Sequence, residues 1–151
     1  MAGHAPKLEI DASDLAVTIL VTSWHTEITD ALLAGAERSL KAAGNDVYSI
    51  VRVPGAFELP LAAKWAAEEE ADVIIALGVV IQGETPHFEY VCNAATDGLT
   101  RVQLDYGVPI GFGLLTVDNA QQALDRAGLP NSKEDKGAEA VEAAVMMARL
   151  R

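Results

Sequence analysis

Four runs of aliphatic and β-branched residues punctuate this chain, and between them the apolar positions fall three and four residues apart. Residues 71–81 form the densest run, with apolar side chains on both alternating faces, as in a strand covered from two sides. Residues 15–23 read the same way, and 47–53 and 109–116 supply two more predicted strands. Over residues 27–43 the apolar positions become Ile28, Ala31, Leu32, Gly35 and Leu40, a helical spacing closed by Gly44. Further helices are predicted over residues 59–70, 86 to about 105, 119–127 and 134–149. Strands alternating with helices imply right-handed crossovers and helices on both sheet faces. The predicted fold class is therefore α/β: a single-domain three-layer α/β/α sandwich with a mainly parallel four-stranded central sheet. Residues 1–7 read as a flexible tail and 8–151 as one domain.

The junction after the third strand carries the first chemical signal. Gly83 allows a turn, Thr85 can cap a helix and Pro86 suits its first position, so His87 is expected in the first turn. N–H groups there lack intrahelical partners and carry partial positive charge. Glu84 and Thr85 thus lie on an anion or phosphate cradle.

Composition narrows the possibilities. A chain of 151 residues suits one domain. No apolar run approaches the roughly 20 residues needed to span a bilayer, and the N-terminus lacks a signal peptide's apolar core; a soluble, cytoplasmic protein is expected. Net charge of −11 argues against nucleic acid and anionic membranes as partners. An acidic protein that binds phosphate must concentrate its few cations locally, and Arg126 and Lys136 are the candidates. Cys92, the only cysteine, reads as a packed thiol inside a helix. No zinc-type spacing is present, His25 pairs with no second ligand, and Trp65 reads as core packing.

Ligands of open α/β sheets gather at the carboxyl ends of the strands. Those ends carry Ser23-Trp24-His25, then Pro54 to Glu58, then Gln82 to His87, and then Phe112 with its neighbours. Trp24 and Phe112 offer aromatic faces, Glu58 an acceptor, and the 83–85 turn a phosphate seat. Together they suit a flat polar heterocycle plus a phosphate.

Four motifs then carry a resemblance: residues 54–60 (Pro-Gly-Ala-Phe-Glu-Leu-Pro), 76–81, 83–89 (Gly-Glu-Thr-Pro-His-Phe-Glu), and Asp125-Arg126-Ala127-Gly128 with Asp135-Lys136-Gly137. In this order, from about Leu8 onward, the chain resembles the lumazine synthases, which have a flavodoxin-like fold. The resemblance implies condensation of 5-amino-6-(D-ribitylamino)uracil with 3,4-dihydroxy-2-butanone 4-phosphate, releasing phosphate and water, with no metal or organic cofactor. It implies that Trp24 stacks on the pyrimidine and that Ala56, Phe57 and Glu58 hold the ring and ribityl chain. Val79, Val80 and Ile81 would line the uracil. Glu84, Thr85, Arg126 and Lys136 would hold the phosphate, and His87 would transfer protons, since an imidazole can give and take them near neutral pH.

It further implies a homopentamer in which Phe112 and Arg126 complete a neighbour's site, and in which residues near Leu8-Glu9-Ile10 can add a strand to a neighbour's sheet. The segment 127–135, long and containing Pro130, favours a free pentamer over a decamer or an icosahedral shell. Three other readings stay open: a non-catalytic flavin or lumazine carrier, a shell-forming protein, and a riboflavin synthase of the same fold. The last has no use for a phosphate apparatus.

Overall fold

The computed structural model describes residues 3–151 and turns the four runs into one parallel sheet. Strands β1 (Val17–Thr22), β2 (Ser49–Val53), β3 (Val73–Ile81) and β4 (Ile110–Val117) lie in the order β2-β1-β3-β4. The helices are α1 (Thr26–Ala42), α2 (Leu59–Glu68), α3 (His87–Tyr106), α4 (Ala120–Leu124) and α5 (Lys136–Arg149). Met1 and Ala2, part of the expected tail, lie outside the described residues.

Strand β3 shows why an unbroken apolar run is needed. Alternate side chains point to opposite faces of a strand: Val73, Ile75 and Leu77 pack with α1 and α5, while Ile74 and Ala76 pack with α2 and α3. Ile74, Ile75 and Leu77 are fully buried, and each such side chain contributes roughly 1.5–3 kcal/mol relative to exposure. Strand β2 differs, for it forms an edge and leaves Ile50 and Val51 nearly half exposed.

Helices α1 and α5 approach closely because glycines face them: a Cβ on Gly137 would strike the Leu32 carbonyl, and one on Gly35 would strike the Asp135 carboxylate. Asp135 in turn caps α5, accepting from the Ala138 N–H at 3.0 Å. That contact fixes Lys136 at the first position of the helix.

Several expected boundaries move. Helix α4 stops at Leu124 rather than 127, because the chain doubles back: the Lys136 N–H donates to the Arg126 carbonyl at 3.0 Å, and Ala127 bridges to Asp135. Helix α5 accordingly begins at Lys136, two residues late. Helix α2 ends at Glu68, and Glu70 takes a left-handed φ of 67°. Thr85 does not cap α3; Pro86 holds the cap position without side-chain help, its carbonyl accepting from the Glu89 and Tyr90 N–H groups.

Trp65 is not core. It is 57% exposed, since the buried stripe of α2 runs through Leu59, Ala63, Ala66 and Ala67 and Trp65 falls beside it. Small residues suit that stripe because α3 lies close, with Gly98 against the Pro60 ring. Residues 8–10 form no strand within this chain, although Ile10 rests partly against the core.

Candidate active site

The turn from β1 into α1 is held from the β2 side. The Ser23 Oγ donates to the Val53 carbonyl at 2.8 Å, and the Ser23 N–H donates to the Pro54 carbonyl at 3.3 Å. His25 then reverses the chain at φ 54° and ψ 64°, left-handed without being glycine, at a cost on the order of 1 kcal/mol. Its carbonyl accepts from the Ile28 and Thr29 N–H groups and starts α1. Trp24 is projected outward, 68% exposed, its ring 6.3 Å from that of His25 and tilted by 49°.

Beyond β2 the chain makes a single 3-10 turn, Ala56–Glu58, that opens directly into α2. Gly55 lets this turn sit against the indole: a Cβ there would lie 3.4 Å from both Trp24 Cδ1 and Glu58 Oε1. At the end of β3, residues 82–86 lead into α3 and set His87 exposed in its first turn. With Pro86 contributing no side-chain cap and its carbonyl taking the Glu89 N–H, the His87 and Phe88 N–H groups remain available to an anion.

These ends enclose a cleft of about 550 Å³, within the range of small-molecule sites. Eight residues expected from the sequence line it together: Trp24, Ala56, Phe57, Glu58, Val79, Val80, Ile81 and His87. Four others had been given no role: His25 and Gly55, placed at the strand ends without one, and Tyr90 and Val91. Tyr90 was findable, since it follows His87 by three residues and so shares its helix face. His25 was passed over for want of a second metal ligand, whereas its part in the wall comes from a backbone reversal. The wall is largely apolar, with Glu58 and His87 as exposed polar groups.

Five expected residues are not in the wall. Glu84 and Thr85 are exposed in the turn beside it. Phe112, 48% exposed, is not at a carboxyl end as expected: it is the third residue of the edge strand β4, opposite Ala76, because that strand runs on to Val117. Arg126 and Lys136 are absent from the wall: Leu124 and Ala127 beside Arg126 pack with α1 and α5, on the face that Val79 and Ile81 of the cleft share, whereas Ala56, Val80 and Val91 pack with α2 and α3.

The two cations are engaged within the chain. Arg126 Nη1 donates to the Gln122 carbonyl at 2.8 Å. Lys136 Nζ pairs with Glu134 at 2.6 Å and Glu139 at 3.0 Å. Burial works against the Lys136 charge, but hydrogen bonds to Glu134 and Glu139 outweigh it and hold the ammonium above its ordinary pKa. The Lys136 hydrogen bond holds the Glu134 carboxyl below its own, burial opposing and Arg126 adding attraction. Cys92 is half-buried in α3, and burial pushes its thiol up, away from a reactive thiolate. Among the described residues, no three His, Cys, Asp or Glu side chains gather as metal ligands, and no helix is long and apolar enough to cross a membrane.

The family model described as 6,7-dimethyl-8-ribityllumazine synthase matches residues 14–151. A curated protein of that name from Clavibacter sepedonicus is 58% identical over 154 residues, covering 99% of this chain and 96% of its own. Two more of that name, from Kineococcus radiotolerans and Leifsonia xyli subsp. xyli, are 60% and 61% identical, covering 93% and 92% of this chain and 88% and 87% of their own.

Proposed function

The chain belongs to the 6,7-dimethyl-8-ribityllumazine synthase family, and from that premise we propose that it joins 5-amino-6-(D-ribitylamino)uracil to 3,4-dihydroxy-2-butanone 4-phosphate. It is a transferase of riboflavin biosynthesis. The observation that carries the residue assignment is the cleft itself, where an exposed indole, an apolar floor, a carboxylate and an imidazole meet at the carboxyl ends of β1 and β3.

In this reading the pyrimidine stacks on Trp24 above Val79, Val80 and Ile81, and Glu58 with the Ala56–Phe57 backbone holds the ribityl chain. An offset aromatic stack of this kind contributes about 0.5–1.5 kcal/mol beyond area burial. The phosphate rests against Glu84, Thr85 and the open first turn of α3. An amine of the pyrimidine adds to the ketone and expels water as an imine. Phosphate then leaves with the electron pair of its C–O bond. The enol so formed becomes a ketone, the second nitrogen adds to it and closes the ring with loss of a second water, and His87 relays the protons that each step releases or needs. Every step is an addition, an elimination or a proton transfer, so none requires a metal or redox cofactor.

The active unit is a cytoplasmic homopentamer in which a neighbouring copy brings Phe112, Arg126 and Lys136 to this cleft. Two features support it. Arg126 and Lys136 line no part of this chain's own cleft, and the edge strand β2 leaves Ile50 and Val51 exposed, with Val47 exposed just before it, ready for a strand from another copy. The proline-containing segment 127–135 favours a free pentamer over stacked pentamers or a shell, and light scattering of the native protein separates these.

Mixing the purified protein with both substrates is the direct test. Lumazine fluorescence and inorganic phosphate should rise together, well above the uncatalysed rate; a rate no greater than that background would refute the reading.

A further inference from the structure

Trp24 has little to hold it. It stands between the cleft and a shallow depression lined by Ser23, Trp24, His25, Thr26 and Pro54, and it is left 68% exposed among the described residues. Its position is therefore set by the backbone of the β1–α1 turn, and that turn contains a left-handed histidine that costs energy to maintain. Something must brace the two ends of the turn.

Arg52 does so. It lies on β2 opposite Val21, one residue before the end of the β1–β2 ladder. Its guanidinium spans the base of the turn: Nη1 donates to the Thr22 carbonyl at 3.1 Å and to Thr29 Oγ1 at 3.4 Å, while Nη2 meets Asp30 at 2.8 Å. Thr22 is the last residue of β1, and Thr29 and Asp30 lie in the opening of α1, so one planar group fastens the residues on both sides of Trp24-His25. The Asp30 carboxylate is 62% exposed and would matter little as an isolated surface ion pair. The carbonyl of the fully buried strand end and the buried Thr29 give the contact its positional value.

Resting on the proposed pyrimidine site, we infer that Arg52 is a positioning residue for the pyrimidine substrate, acting through the Trp24–His25 turn and touching no substrate itself. A lysine could supply the charge near Asp30 but not the fork that reaches a carbonyl and a carboxylate at once.

The test uses the chain with Trp65→Phe, which leaves Trp24 as its sole indole. Quenching of Trp24 by 5-amino-6-(D-ribitylamino)uracil alone gives the dissociation constant. Arg52→Ala should weaken it about tenfold and add nanosecond motion to the Trp24 anisotropy decay, while KM for the phosphate substrate stays within about twofold. Arg52→Lys should retain most of that loss. Should Arg52→Ala fail to fold, Arg52→Met, which keeps the aliphatic stem and lacks the fork, carries the same test, with the same weakening of about tenfold expected. Unchanged pyrimidine affinity, equal losses for both substrates, or full rescue by lysine would each overturn the inference. A parent protein that takes up no pyrimidine overturns the functional reading and this inference with it.

Discussion

The cleft and the Arg126–Lys136 corner are built on opposite terms. Along the cleft, Trp24, Phe57 and Tyr90 stand 65–72% exposed, with Glu58 and His87 open to solvent. At the corner Lys136 is held between two carboxylates and Arg126 is tied to a backbone carbonyl. The first region presents apolar area that a flat ligand can cover. The second keeps its cations fixed in place within an acidic chain, where free ones would be drawn to other carboxylates. Arg126 and Lys136 line no part of this chain's own cleft, so in the proposed pentamer a neighbouring copy would be what joins the two regions.

The strongest way to break this comparison is complementation. Arg126→Ala should lower kcat/KM about 100-fold or more when assembled alone, the loss expected for one group that stabilises developing charge, and Trp24→Ala about tenfold, the loss expected for an aromatic stack. Refolded together in equal amounts, they should recover about a quarter of the parent activity, because random mixing in a ring pairs an intact cleft with an intact Arg126 that often. No recovery would mean that both halves serve the same chain.

A smaller effect is expected at His87. His87→Ala should slow kcat only about tenfold, since the reaction proceeds without enzyme and positioning supplies much of the rate. Complete loss of turnover would make proton transfer, rather than the shape of the cleft, the dominant contribution.

The corner gives the smallest effect and the most specific pH signature. Glu134→Gln should destabilise the protein by on the order of 1 kcal/mol at neutral pH. Glu134 is lowered in the fold, so its contribution is complete above the ordinary glutamate value of 4.5 and is lost as pH falls through the lower folded value. Lys136 is raised, so the same pair is complete below 10.5 and fades as pH rises through the higher folded value. Thermal melts of both proteins across this range should therefore show a plateau in their difference that closes at both ends. A difference independent of pH would mean that Glu134 acts by packing alone.

Much of the fold was legible because period and burial coincide. The run at 71–81 reads as a strand covered on both sides, and β3 is that strand; Gly44 closes α1 at φ 87°. Boundaries were less legible where the chain folds back on itself. Nothing local in residues 125–136 announces that the Arg126 carbonyl will take the Lys136 N–H, yet that bond ends α4 early and starts α5 late. Trp65 misled because hydrophobicity alone says core, whereas the close approach of α2 and α3 admits only small side chains in the shared stripe.

The chemistry divides in the same way. Residue identity and order determined by themselves which groups stand at the ends of the first three strands, because a strand followed by a helix places its last residues at the sheet's carboxyl edge; Phe112 was misplaced because β4 extends to Val117. Tertiary structure decided that His25 would turn left-handed and wall the cleft, that Arg52 would tie the end of β1 to α1 beneath Trp24, and that Arg126 and Lys136 would stay out of this chain's own cleft wall. Those outcomes depend on contacts between residues far apart in the chain, and no local pattern encodes them.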